Sequence, residues 1–204
     1  MHPFRQKTPK RRTTVKAYKH YRSHHATLRE DFNGRCGYCD DTDKMTIRSF
    51  AIDHFVPQNP KTFHHDIEPS SYENLVYSCA FCNGAKSNKW GTNDATLHND
   101  DGVGFIDPTE DDYTEFFRRD RYGAITSNGL DDKLAQHIIT ELKLWYPVHS
   151  ITWKLEKLNV LEKEVTAEID QLAPSSRKDK LTVIQNEIRG ILLNLFRNLF
   201  AENE

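Results

Sequence analysis

All four cysteines of the chain fall in two Cys-x-x-Cys pairs, Cys36–Cys39 and Cys79–Cys82. Each pair offers two thiolates from one turn, and Gly37 allows the first turn to be tight. Zinc takes four tetrahedral ligands, and a site of four thiolates leaves no position open for water, so it is structural. The pairs are separated by about forty residues. Closing that loop through a metal converts binding energy into folding energy. The basic N-terminus has no apolar stretch after it that would read as a secretory signal. Paired cysteines without such a signal point to a reducing compartment and a metal site rather than a disulfide framework. The expected location is cytoplasmic. No apolar run approaches the roughly 18 residues needed to cross a bilayer, so no membrane partner is expected.

Between the cysteine pairs lies Asp53-His54. A carboxylate is a hard oxygen donor suited to magnesium or manganese. An imidazole titrates near neutral pH and can accept a proton from water. Neighbours on a strand face opposite ways, but both can converge on one ligand where a strand ends. Asn83 follows the last cysteine and offers a second hard ligand. Asn74 is placed to orient His54, and Arg48, Lys86 and Lys89 are expected within reach of a phosphate. The His64-His65-Asp66 run is a further metal-binding candidate, though loop residues of this kind are more often simply solvated.

The formal net charge of −2 conceals an uneven distribution. Residues 1–22 carry Arg5, Lys7, Lys10, Arg11, Arg12, Lys16, Lys19 and Arg22 and no acid, whereas residues 94–120 are rich in Asp and Glu. Residues 1–14 read as a flexible basic arm, with Arg11 and Arg12 contacting nucleic acid through its phosphates. A helix is expected over 15–32, then a strand over 45–55 (Ile47, Phe50, Ile52), a long loop over 58–71, a strand over 74–78 and a helix from Cys79 to about Trp90. Leu130, Leu134, Ile138, Leu142 and Trp145 form a helical stripe that Asp131 and Asp132 help to start. Stripes over about 150–172 and 176–201 predict an antiparallel helix hairpin. The fold class is therefore α+β: a small ββα core pinned by zinc, an N-terminal helix and a C-terminal helical region. The expected units are the arm, a central domain over 15–128 and a helical region over 129–204.

Cys36-x-x-Cys39, Asp53-His54-x-x-Pro57, Asn74-Leu75, Cys79-x-x-Cys82-Asn83 and Lys86 occur in the order of the HNH endonuclease superfamily, and the segment resembles that family and its ββα-metal fold. The resemblance implies His54 as general base, Asp53 and Asn83 as ligands of a catalytic Mg2+ or Mn2+, and Asn74 as the middle member that positions His54. The last family position is often His; here it is Asn83. His54-Phe55-x-Pro57, Tyr72-x-Asn74-Leu75 and Phe105-Ile106-Asp107-Pro108 further resemble HNH proteins of bacterial anti-phage systems. These include the nuclease subunit of Septu-type systems, which works with an ATPase partner. Asp53 stands where many of those proteins have Glu. The resemblance covers residues 30–125.

The leading expectation is an endonuclease cutting phosphodiesters, with DNA expected over RNA. One competing reading is a zinc module that only grips nucleic acid, which leaves Asp53, His54 and Asn83 without a role. Another is a nuclease subunit latent until its C-terminal helices dock an ATPase.

Overall fold

The computed structural model describes residues 1–46, 48–129 and 132–201. Ile47, expected in a strand, and Leu130 and Asp131, expected to open a helix, lie outside the described residues. No described helix is long and apolar enough to cross a membrane.

The N-terminal segment departs most from expectation. Residues 1–14 are not a loose arm. β1 (His2–Pro3) pairs antiparallel with β6 (Phe117–Arg119), which in turn pairs with β7 (Ile125–Ser127). Phe4 is buried against Tyr113 and Phe117. The Arg5 guanidinium is buried too, donating to the Gly37 and Pro108 carbonyls at 2.6 and 3.1 Å. The expected helix over 15–32 shrinks to a 3-10 turn, Tyr21–His24, followed by α1 (His25–Asp31). Upstream of it the chain forms no helix; the Arg11 side chain donates to the Leu75 carbonyl and Arg12 bonds Asp31 through its N–H and its Nε. Leu28 and Phe32 of this stretch are fully buried.

The centre of the chain is a ββα unit. β2 (Ala51–His54) pairs antiparallel with β3 (Leu75–Ser78), with Asp53 opposite Val76 and His54 opposite Leu75. α2 (Ala80–Lys86) follows directly. Cys79 caps it, its Sγ accepting from the Cys82 N–H at 3.4 Å. Ser87, at φ 49°, ends it four residues short of the expected Trp90. The strand expected from Met45 is only β2; Met45 closes a 3-10 turn, Asp43–Met45. A small hairpin, β4 (Asn99–Asp100) with β5 (Val103–Gly104), sits in the acidic segment.

α3 (Asp132–Glu141) buries Leu134, Ala135, Ile138 and Ile139 in the same core as Leu75, Val76 and Phe105. The core is therefore continuous past residue 128. A second cluster joins Val148, Ile151 and Leu155 of α4 (Pro147–Gln171) to Leu199 of α5 (Ser176–Ala201), with Phe81 of α2 against it. Pro147 does not interrupt a helix but opens one, since its missing N–H falls where no partner is needed. α5 begins after Ser175, whose Oγ accepts from the Lys178 N–H at 3.4 Å. Its expected stripe is only half covered: Ile188 and Leu199 are buried, while Ile184 and Ile191 are 45% and 49% exposed. A two-helix hairpin has one inner face, and residues at the edge of a wide stripe stay outside it.

Candidate active site and metal centre

The four cysteines converge. Their sulfurs lie within 4.8 Å of one another, all four residues are buried, and none is in a disulfide. Cys39 and Cys79 Sγ are 3.7 Å apart. A tetrahedral zinc with bonds of about 2.3 Å separates its sulfurs by about 3.8 Å, so the cage has the right size and the right donors. Gly37 is needed for space rather than for a left-handed turn: a Cβ there would lie 2.7 Å from the Phe32 ring and 2.8 Å from Val76. The left-handed residue of this knuckle is Asp40, at φ 63°. The Gly37 N–H donates to the Tyr77 carbonyl at 2.8 Å, pinning the first knuckle to β3.

A third partner of the cage was not legible in the sequence. His149 of α4, 1% exposed, has Nδ1 2.6 Å from Asp41 Oδ2 and forms a cluster with Asp41 and Cys39. Arg119 backs it, donating to the Cys39 carbonyl at 2.6 Å and reaching Asp41 Oδ1 at 3.4 Å. Burial opposes a charge on His149, but the neighbouring Cys39 and Asp41 outweigh it and raise its pKa well above the usual value. The helical hairpin is thus attached to the cysteine cage through a charged, buried contact.

Beside the cage, Asp53, His54 and Asn83 line one cleft of about 450 Å³, together with Tyr21, Pro57 and Asn88. The end of β2 delivers the first two and the middle of α2 the third. His54 Nε2 lies 2.8 Å from the Pro69 carbonyl. A carbonyl only accepts, so Nε2 carries the proton and Nδ1 is left with the lone pair. Burial holds the ring's pKa below its usual value, so it is neutral near pH 7. Tyr21 meets the same ring edge-on, 4.7 Å between centroids. The Asn83 side-chain amide makes no hydrogen bond among the described residues, which leaves its oxygen available as a ligand.

Asp53 rests on a buried support. Its Oδ2 accepts from the Tyr38 hydroxyl at 2.6 Å and pairs with Lys86 Nζ at 3.2 Å. Burial raises the Asp53 pKa, opposed by Lys86 and the Tyr38 bond. Both contacts fall on Oδ2, so Oδ1 is the oxygen left for a cation, whose charge would favour the carboxylate further.

Several expected roles change. Lys86 is fully buried, with Nζ also donating to the His54 carbonyl at 2.8 Å; it holds the site from beneath and cannot reach a phosphate. Lys89 is paired with Glu141 at 2.9 Å. Arg11 donates to the Leu75 carbonyl, Asp107 and Thr109, and Arg12 is paired with Asp31 and Glu30. Arg48 is exposed, with its guanidinium 5.3 Å from the Phe81 ring centroid. Asn74 does not touch the His54 ring. Its side chain bonds both the N–H and the carbonyl of Val56, at 2.8 and 3.0 Å, and so fixes the chain leaving β2; Pro69 fixes the ring. His65 is a loop staple rather than a ligand, bonded to the Pro57 carbonyl and the Ile67 N–H. Another cleft, about 650 Å³, lies elsewhere, between Phe4 and Trp153, and holds none of the expected site residues.

Cysteine cage, strand-end Asp-His and helix Asn in one ββα unit define the segment. Residues 36–89 match the HNH endonuclease family model. No curated protein and no solved structure matches the chain. The matched segment contains both cysteine pairs, Asp53, His54, Asn74 and Asn83.

The support under Asp53 is testable. Lys86→Met in the HNH segment leaves a buried carboxylate without its cation, expected to cost about 3–5 kcal/mol and to lower Tm by about 10 °C for a chain of this size. Thermal unfolding checks this. Unchanged melting with weakened nucleic-acid binding would instead return Lys86 to the surface.

Proposed function

We propose that the protein is a metal-dependent HNH endonuclease that hydrolyses phosphodiester bonds of DNA, with zinc holding the scaffold and Mg2+ or Mn2+ serving the reaction. The observation that carries this reading is the convergence of Asp53, His54 and Asn83 on one cleft beside the cysteine cage. Asp53 and Asn83 hold the divalent ion. When bound, such an ion stabilises the charge that develops on the phosphate and on the departing oxygen. His54 takes the proton of the attacking water at Nδ1, while its Nε2–H stays on the Pro69 carbonyl, which keeps the ring aimed. Lys86 and Tyr38 keep the Asp53 carboxylate ionised and in place.

The test is purified, zinc-loaded protein against plasmid, single-stranded DNA and RNA, with magnesium, manganese or neither. Cleavage of DNA only when a divalent ion is added is the expected result. No cleavage of any substrate with either ion would overturn the reading.

A second reading has its own support. The motif resemblance to anti-phage HNH proteins suits a nuclease subunit that works with an ATPase, and exposed apolar residues on the hairpin, among them Val183, Ile191 and Phe200, suit docking through the C-terminal helices. In that case the isolated chain cuts slowly and the ATPase accelerates it.

A further inference from the structure

Most cations assigned to phosphate by their position in the sequence are consumed inside the fold. Arg11, Arg12, Lys86 and Lys89 all face carboxylates, as do Lys10, Arg29 and Arg35. Three cations of the segment that runs into the cleft are not. Lys16, Lys19 and Arg22 are exposed, and none has an ion-pair partner among the described residues. No acid occurs in the chain before Glu30, so nothing local offsets them. The segment that carries them ends at the site itself: Tyr21 lines the cleft and packs on the His54 ring, and Arg22 lies 5.7 Å from the Tyr21 ring centroid. Extended chain advances at most about 3.6 Å per residue, so Lys16 lies within about 18 Å of Tyr21. Phosphates are spaced about 3.4 Å along the axis of one strand, so a segment within that limit can meet successive phosphates.

We infer that Lys16, Lys19 and Arg22 form the ridge that grips the nucleic-acid backbone beside the cleft, in place of Arg11 and Arg12. The ridge neutralises phosphates flanking the one presented to His54 and reads no sequence, since its contacts are to the backbone. The inference deepens the nuclease reading and depends on it only for the identity of the ligand.

The test compares wild type with Lys16→Gln/Lys19→Gln/Arg22→Gln. The probe is a fluorescent DNA duplex, titrated with zinc-loaded protein at several salt concentrations without added magnesium or manganese. Three lost phosphate contacts flatten the slope of log K against log salt by about 2.7, at about 0.9 per contact. A control, Lys163→Gln/Lys180→Gln/Arg197→Gln, removes the same charge from exposed positions on the hairpin and is expected to leave the slope within about 0.5 of wild type. An unchanged slope in the ridge variant, or an equal loss in the control, overturns the inference. Cleavage is scored separately. A flattened slope in a protein that cuts nothing keeps the ridge and rejects the nuclease. Efficient cutting with an unchanged slope does the reverse.

Discussion

His54→Ala lowers the rate of DNA cleavage by about 10²–10⁴, the usual contribution of a positioned general base, and leaves DNA binding and zinc content unchanged. The ring lines the cleft while its Nε2–H is held by Pro69, so its loss removes a proton acceptor without dismantling the cysteine cage. The pH profile carries the same information. A base acts only when deprotonated, and burial holds the His54 pKa below 6.5. The rate therefore rises with pH on the acid side and reaches its plateau at lower pH than an unperturbed histidine would give. A profile that still climbs steeply above pH 7, or unchanged cleavage by clean His54→Ala protein, takes His54 out of the reaction.

Cys79→Ala abolishes the cooperative fold of the HNH segment. Structural zinc sites contribute an apparent 10–16 kcal/mol, while a domain's whole stability is about 5–15 kcal/mol. Losing even part of the first exceeds most of the second. The residue also caps α2, and replacing it breaks the bond from Cys82 N–H. Cys79→Ser separates the two effects: a serine oxygen keeps the cap but is a poor match for the three remaining thiolates, so zinc is still lost. Zinc content and near-ultraviolet circular dichroism read both variants. Native melting with full zinc in Cys79→Ala would show that the cage does not hold the fold. Zinc uptake should also release protons, because burial raises the Cys39 and Cys82 pKa values well above the usual thiol range and the metal takes thiolates.

The cysteine cage and the meeting of Asp53, His54 and Asn83 in one cleft were legible in the sequence because each is written locally. Two thiolates three residues apart share a turn, adjacent Asp and His share a strand end, and Asn83 follows a cysteine onto a helix. The helical hairpin was legible for a similar reason, since a repeat near 3.6 residues persists over both long helices.

Charge partners were not legible, because a cation's fate depends on acids far along the chain. Arg11 meets Asp107, Arg35 meets Glu156 and Lys86 meets Asp53 only after the chain has folded. The sequence alone determined which side chains are offered together: four thiolates in two turns, and an adjacent Asp and His. The tertiary structure alone decided which cations remain for a phosphate, which carbonyl sets the His54 tautomer, and that a histidine of the C-terminal helices braces the cysteine cage. Ligand spacing is a property of a few consecutive bonds, whereas pairing and burial depend on the packing of the whole chain.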